Sequence, residues 1–579
     1  MLATSLFQAK FMKKYIHIFL LLLWLIIGTC LRFYDLAALP PWTDECATIV
    51  FSLGNSFKTV PLNQVIGSDL LLQPLQQMPV TGISNVVERL FDESTHPPFY
   101  FILTHLWMKL FSNSGEIASI WAARSLSAFW GVVSIPAMFC FGYLAFGSKL
   151  VAHIATATIA VSPFTIFLAR EARHYTLIIL LVIVSLSCFV KAIETMRNQR
   201  PFPLLIAFVW TITNIFGVAT HYFFALTLCT QGLVLFTYIW QIIRQRKQNR
   251  LIKTRLYLWR IFCVAIASIT ACLIWLPIVQ SFYGSEPTNW VLDSRNDNFL
   301  SPIGRLFLWV ISIFSLLPSA PLIVPIWIIV VSGIATLLYL IWLTPYLMYG
   351  LRVFSQSNSG LPTQVLTRYT IIAIALFLVC TYFLGIDLTL AARFIFVFAP
   401  GIILLVSALL SVCWQRLKKL LKNGQFAVTI VWLIALTGGI IVTMNLGYLQ
   451  NQRPDLLASL IHKTSQAPVL IATTHKHHGQ TGRMMGLAWE FKYLYAKEYI
   501  NDWQFFLAHR NENTETYTDA VKRLQKSISQ ITHPFDLWLV NFNSSVNLES
   551  EMLSPISMKP DIPAVISIFC SSSRFVLML

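Results

Sequence analysis

The sequence predicts a polytopic α-helical membrane protein of about eleven transmembrane helices, followed by a small soluble α/β domain. Three observations predict it. Of 579 residues, 56% are hydrophobic and only 12% charged, with a mean hydropathy of +0.66, a level that water-soluble folds of this length do not sustain. Apolar stretches long enough to cross about 30 Å of hydrocarbon recur as far as residue 447. Beyond residue 448 polar and charged residues rise, and short apolar runs alternate with helical patterns.

The expected crossings are 15–33, 121–147, 150–168, 176–195, 203–220, 223–242, 257–280, 321–347, 369–386, 394–413 and 426–447. The first follows Lys10, Lys13 and Lys14 but lacks a small-residue cleavage site, so it reads as a membrane helix rather than a signal peptide. With the N-terminus inside, Lys149, the run Lys191/Arg197/Arg200, the block from Arg244 to Arg255, Arg352 with Arg368, and Arg416 to Lys422 all fall on the inner side. That is the positive-inside pattern, and it accounts for the net charge of +17 without nucleic acid.

The segment "HPPFYFILTHLWMKLF", His96 to Phe111, is apolar enough to tempt a further crossing. Counting it would invert every later loop and place the Arg244–Arg255 block outside. It is therefore expected to lie along the outer surface as an interfacial helix, with Trp107, His105 and Lys109 among its apolar positions. Residues 300–318 are treated alike. The resulting organisation is a membrane domain over 1–447, with a first outer loop at 32–120, and an outer α/β domain over 448–579. There "APVLIATTH", "FDLWLVNF", "AVISIFC" and "RFVLML" read as strands and "TYTDAVKRLQKSISQ" as a helix. The ten cysteines show no CxxC spacing. Cys46 and Cys570 both fall outside the membrane, and a bridge between them stays open.

This topology gathers Asp44/Glu45, His96, Arg124, Arg170/Glu171/Arg173, His221, Asp387 and Arg393 at the outer ends of helices or in outer loops. Charges near hydrocarbon are costly unless paired or functional, so their gathering at one level suggests a site. Each residue also has a plainer reading. In "LPPWTDE" the acids can cap a helix whose entry is fixed by Pro40 and Pro41, or act as a general base. Arg124 and Arg393 can snorkel, or converge as a clamp on phosphate. Arg170/Glu171/Arg173 can form an exposed salt-bridge patch, although Glu171 and Tyr175, four apart, share a helical face. His221 in "THYF" can be an interfacial anchor. The "HKHH" run at 475–478 lacks the fixed acidic partner that a metal site needs.

"LPPWTDE", "HPPFYFILTHLWMKLFS", "AARSLSAFWGVVSIPAMFCFGYLAFG", "SPFTIFLAREARHYTL", "THYFF" and "ARFIFVFAPGIILL" occur in the order seen in GT-C glycosyltransferases. The chain resembles their protein O-mannosyltransferase and aminoarabinose-transferase-like branch over roughly residues 15 to 413. The resemblance implies a GT-C fold with interfacial helices in the first outer loop. It also implies a transferase that takes a sugar from a polyprenyl-phosphate donor on the outer face, with inversion. Carried over residue by residue, Asp44 would be the base and Glu45 would orient substrate or hold the loop. Arg124 and Arg393 would bind the donor phosphate, Glu171 would line the sugar or acceptor side, and His96 and Arg32 would sit in the donor pocket; Tyr175, on the Glu171 face, and His221 are further candidate substrate contacts. Arg393 is followed by Phe394 where relatives often have Tyr.

The implied partners are the polyprenyl-phosphate-linked sugar donor, membrane lipids, and an acceptor that is a lipid, a glycan or a protein. No cofactor is expected: Asp44 and Glu45 could hold a divalent cation, but two carboxylates without fixed partners make a poor metal site, and the chain has no GxxxxGK[ST]. The expected location is a plasma membrane, bacterial rather than endoplasmic reticulum, with the active site and the C-terminal domain on the extracytoplasmic side. A transporter or flippase of a lipid-linked or anionic substrate is the competing reading, but it predicts midplane ionisable residues in paired halves.

Overall fold

In hydrocarbon every backbone N–H and C=O must be satisfied within the segment, so long apolar runs have no alternative to helix. The structure is a computed structural model. It describes residues 2–578 apart from 79–80, 112–114, 247–254, 283, 286–288, 293–297, 321–322, 357–359, 420–421, 448–451, 495–502, 512–515, 532–533, 545–552, 555–567 and 572–573. Most of the basic block from Arg244 to Arg255 and the side chain of Cys570 thus lie outside the described residues.

Among the described residues, nine helices are long and apolar enough to cross a membrane. The pair Lys149–Val161 and Pro163–Ala169, bent by 54°, makes a tenth when counted as one broken span. The eleventh expected span is the shorter helix Leu204–Thr220, of 17 residues. The segments expected to lie along the surface form Phe99–Met108 and Ser301–Ser312, of 10 and 12 residues, too short to span. The chain is a multi-pass membrane protein.

It divides into two units. The first comprises Met1–Leu36, Thr95–Tyr100 and Arg124–Leu449. Its central helices are Tyr175–Arg197 and Ala399–Arg416, each with 72% of its span buried, whereas Ile326–Ser355 has 6% buried and leaves its apolar side chains exposed, as suits a helix facing lipid. Polar side chains bind four helices together inside. Ser185 Oγ donates to Asn214 Oδ1 at 2.8 Å and accepts from Trp210 Nε1 and Gln231 Nε2. Asn214 Nδ2 donates to Ser268 Oγ at 2.8 Å.

The bend at Ser162 explains Arg32. In a continuous helix the Ile159 carbonyl would accept from residue 163, which is proline and has no N–H. The Arg32 guanidinium, fully buried, takes that place. Nη2 donates to Ile159 O at 2.9 Å and Thr165 Oγ1 at 3.1 Å, and Nη1 donates to Ala160 O at 2.8 Å and Gly28 O at 3.0 Å. The expectation that Arg32 contacts substrate is corrected here: it closes the C-terminus of Lys149–Val161, where a cation also meets the negative end of the helix dipole.

The second unit comprises Ala37–Ser94, Phe101–Ala123 and Gln450–Leu579. The boundary expected at 447/448 therefore does not separate the folding units, because the first outer loop joins the C-terminal segment. The strands are β1 Val65–Gly67, β2 Lys418–Lys419, β3 Lys422–Asn423, β4 Val469–His475, β5 Trp503–His509, β6 Asp536–Val540, β7 Leu553–Ser554, β8 Ile568–Ser571 and β9 Arg574–Met578. β2 and β3 form a separate two-stranded ribbon, and the other seven form one sheet in the order β1-β5-β4-β6-β9-β8-β7. β5, β4, β6 and β9 run parallel, and β1, from the outer loop, pairs antiparallel with β5. Three further contacts tie the loop down. Asn63 accepts from His509 N–H at 2.8 Å. Lys492 Nζ meets Asp69 at 2.7 Å. The helix His478–Leu494 approaches Pro41 and Thr43 so closely that a Cβ at Gly486 would lie 2.6 Å from Pro41 O.

Candidate active site

In the first unit the chain ends of several helices meet around Tyr175, the first residue of Tyr175–Arg197. The Arg173 and Arg393 guanidinium carbons lie 5.7 and 6.0 Å from the centre of its ring. Arg393 sits in the 3-10 turn Ala392–Val397, with Phe394 beneath it at 5.7 Å. Three imidazoles complete the group. The His174 ring centre is 4.7 Å from that of His221 and 5.6 Å from that of His96, and His96 and His221 are 6.4 Å apart.

The hydrogen bonds assign the imidazole protons. Arg173 Nη2 lies 3.1 Å from His96 Nε2; a guanidinium only donates, so Nε2 accepts and the His96 proton sits on Nδ1. Phe223 N–H donates to His221 Nδ1 at 3.0 Å, which puts the His221 proton on Nε2. His174 is fully buried, and neither of its ring nitrogens has a protein partner among the described residues. Burial, then His221, Arg173, His96 and Arg393, hold His174 well below the ordinary imidazole range. Burial, then His96, Arg173 and Arg393, do the same to His221.

The structure thus brings together His96, Tyr175, His221 and Arg393 from among the expected residues, and adds Arg173 and His174. The reading of Arg170/Glu171/Arg173 as an exposed patch is corrected: Glu171 and Arg173 are each 2% exposed. Arg124, 3% exposed, donates to Leu36 O at 3.0 Å. It acts electrostatically on Arg170, whose guanidinium is pushed down to about 10, by burial first and then by Arg124. Arg170 in turn bonds to the carbonyls of Tyr34 at 2.5 Å and Asp35 at 3.2 Å. Asp387 is an ion-pair partner: its Oδ2 accepts from Arg305 Nη2 at 2.6 Å, and its Oδ1 from Thr389 N–H at 2.8 Å. That pair pins the loop leading to Arg393.

In the second unit Asp44 and Glu45 open the helix Thr43–Ser52. Glu45 is fully buried, and its Oε2 accepts from Trp42 N–H at 3.3 Å, the reach-back of an N-terminal cap. Asp44 is partly exposed and faces His478 electrostatically. The His478 ring stacks on Phe57 at 5.2 Å, and burial holds it down to about 4 despite Asp44. The rest of the "HKHH" tract is also engaged: His475 Nδ1 lies 2.8 Å from His509 Nδ1, and its Nε2 2.9 Å from Thr481 Oγ1. Among the described residues no cluster of three His, Cys, Asp or Glu is placed to hold a metal ion.

The signal that sequence reasoning missed was inside a stretch already singled out, "REARH". Nothing local to it distinguishes a solvated turn from one that is covered by segments 77 residues upstream and 220 downstream. No protein-family model matches the chain, and no curated protein is similar to it. Among solved structures it is similar to ArnT from Cupriavidus metallidurans bound to undecaprenyl phosphate, with 12% identity over 88% of this chain and 87% of that one and a TM-score of 0.44. It is also similar to the Archaeoglobus fulgidus oligosaccharyltransferase tethered with an acceptor peptide, with 13% identity over 83% of this chain and 64% of that one and a TM-score of 0.41.

Proposed function

We propose that the protein is a membrane glycosyltransferase of the GT-C type that transfers a sugar from a polyprenyl-phosphate donor to an acceptor hydroxyl or phosphate on the outer face of the membrane. One observation carries the proposal: two guanidiniums and three imidazoles from separate segments converge on Tyr175 at the ends of membrane helices, a constellation whose N–H donors suit an anion. A phosphate joined to a lipid is an anion that arrives at that level by lateral diffusion.

The chemistry is a single displacement. Asp44 takes the proton of the acceptor hydroxyl, the acceptor oxygen attacks the anomeric carbon from the face opposite the phosphate, and the carbon–oxygen bond to phosphate breaks. Its electron pair leaves on the phosphate oxygen, giving polyprenyl phosphate and an inverted glycoside. Arg393, with Arg173, holds the negative charge that develops on the leaving group, which is where electrostatic stabilisation acts most strongly. Arg124 supports donor binding, and Glu171, Tyr175, His96 and His221 shape the sugar and phosphate sides. Glu45 holds the helix start that presents Asp44.

The test uses the full chain in nanodiscs with a panel of radiolabelled polyprenyl-phosphate sugars, following polyprenyl phosphate release for wild type, Asp44→Asn and Arg393→Ala. Release with one sugar, lost in Asp44→Asn while donor binding survives, supports the reading and names the donor. Tight phosphate-dependent lipid binding without turnover for any donor would shift it to a transporter.

A further inference from the structure

A helix of 10 residues does not hold itself together in water, so the direction in which Thr43–Ser52 presents Asp44 is set by what the helix packs against. Glu45, Cys46 and every residue from Thr48 to Ser52 are buried. Much of the cover comes from the C-terminal part of the same unit. Gly482 and Gly486, one turn apart on the helix His478–Leu494, give it a flank that the first outer loop can approach at backbone distance. A Cβ at Gly482 would lie 3.1 Å from Thr43 O, and one at Gly486 2.6 Å from Pro41 O. The added Cβ at Gly486 would also lie 3.1 Å from Pro454 Cγ. Pro41 and Pro454 thus meet at one glycine, which brings Gln452 level with Thr43.

The amides at the start of a helix have no acceptor within it and take one from outside. Glu45 Oε2 accepts from Trp42 N–H. Gln452 Oε1 accepts from Thr43 N–H at 3.3 Å and from Thr43 Oγ1 at 2.5 Å, across 409 positions of sequence. The Arg453 guanidinium, bonded to both carboxylate oxygens of Asp455 at 2.9 and 2.6 Å, stiffens the chain that follows Gln452. The residue held in this way is the one immediately before Asp44. We propose that Gln452 is a positioning residue for the base: by holding Thr43 it fixes the direction in which Asp44 meets the acceptor hydroxyl. The inference rests on the transferase reading, in which Asp44 takes that proton, and deepens it by giving the C-terminal segment a part in the catalytic geometry. A base works only within hydrogen-bond reach of the proton it removes, and a displacement of about 1 Å costs on the order of 100-fold in rate.

The test follows polyprenyl phosphate release by the full chain in nanodiscs with the panel of radiolabelled polyprenyl-phosphate sugars, for wild type, Asp44→Asn, Gln452→Met and Gln452→Glu, beside the Kd for farnesyl phosphate. Met matches Gln in length but offers only a weak thioether acceptor, whereas Glu keeps a carboxyl oxygen at the same reach. Gln452→Met is expected to lower kcat by about ten- to 100-fold, with the donor KM and the Kd for farnesyl phosphate unchanged, and Gln452→Glu to recover most of that rate. Wild-type kcat in Gln452→Met overturns the inference and leaves the transferase reading standing. A loss of rate that Gln452→Glu fails to recover does the same. If Gln452→Met does not fold, Gly486→Ala, which displaces Pro41 from the same seat, is expected to show the same fall in kcat at unchanged Kd, and wild-type kcat there overturns the inference equally. A wild type that releases polyprenyl phosphate from no donor, or an Asp44→Asn variant that matches wild type, overturns both readings.

Discussion

Replacing Arg32 by Met separates a structural arginine from a ligand-binding one. The guanidinium serves the carbonyls of Ile159 and Ala160 at the break before Pro163, at 2.9 and 2.8 Å. Met fills a comparable volume and donates nothing, so the Ala160 carbonyl loses this donor and the Ile159 carbonyl is left with Thr165 Oγ1 at 3.0 Å, at about 1–3 kcal/mol for each bond lost. Relief from burying an uncompensated cation offsets part of this, leaving a net loss of roughly 2–4 kcal/mol. Arg32→Lys is expected to recover at most half, because one ammonium cannot reproduce the two-sided fork. The assay is the unfolding midpoint of the purified protein, paired with the Kd for farnesyl phosphate measured well below that midpoint. A lowered midpoint with an unchanged Kd is expected. An unchanged midpoint with a Kd raised tenfold would refute the reasoning and return Arg32 to the substrate.

Removing Asp387 and Arg305 singly and together, each to Ala, is expected to reveal a coupling of about 1–3 kcal/mol in the unfolding midpoint cycle, since Asp387 is 1% exposed while Arg305 is 23% exposed. A coupling below about 0.5 kcal/mol would mean that the loop before Arg393 is held by other contacts. Glu490, whose carboxyl is pushed up to about 7 by burial first and Asp455 second, binds its proton more readily folded than unfolded. Its contribution is therefore present below about 4.5 and lost as pH rises through 7; Glu490→Gln should flatten that slope in hydrogen exchange of the His478–Leu494 helix, and an unchanged slope argues against it. Gly217→Ala would drive a Cβ to 2.4 Å from the ring of fully buried Phe224. The expected overpacking cost is about 1–3 kcal/mol, with weaker farnesyl phosphate binding as the corner bearing His221 shifts, and unaltered stability and affinity would contradict it.

What was legible in the sequence is what one continuous segment decides alone. A membrane span must satisfy its own backbone, so the apolar run is both signal and structure, and the charge parity that laid His96–Phe111 along the surface agrees with a helix of only 10 residues there. The α/β pattern after residue 448 was readable for the same reason, since β4 and β6 are apolar runs bounded by turns. β1 was not: three residues, Val65–Gly67, carry no periodicity, and their strand exists only because β5 pairs with them from more than 430 residues away.

Arg32 and Arg393 show the same limit at the level of chemistry. Both are arginines at the rim of an apolar helix, and sequence reading assigned both to substrate. What separates them lies elsewhere in the chain. Pro163, by withholding one N–H, leaves the Ile159 carbonyl for Arg32, so that guanidinium is engaged by backbone. Arg393 instead lies over Tyr175, with Arg173 and three imidazoles gathered around it from other segments. A basic residue in a membrane protein is thus assigned by the acceptors that distant segments bring to it. Arg173 and His174, passed over as part of a charged turn, share their surroundings with Arg393 and not with Arg32.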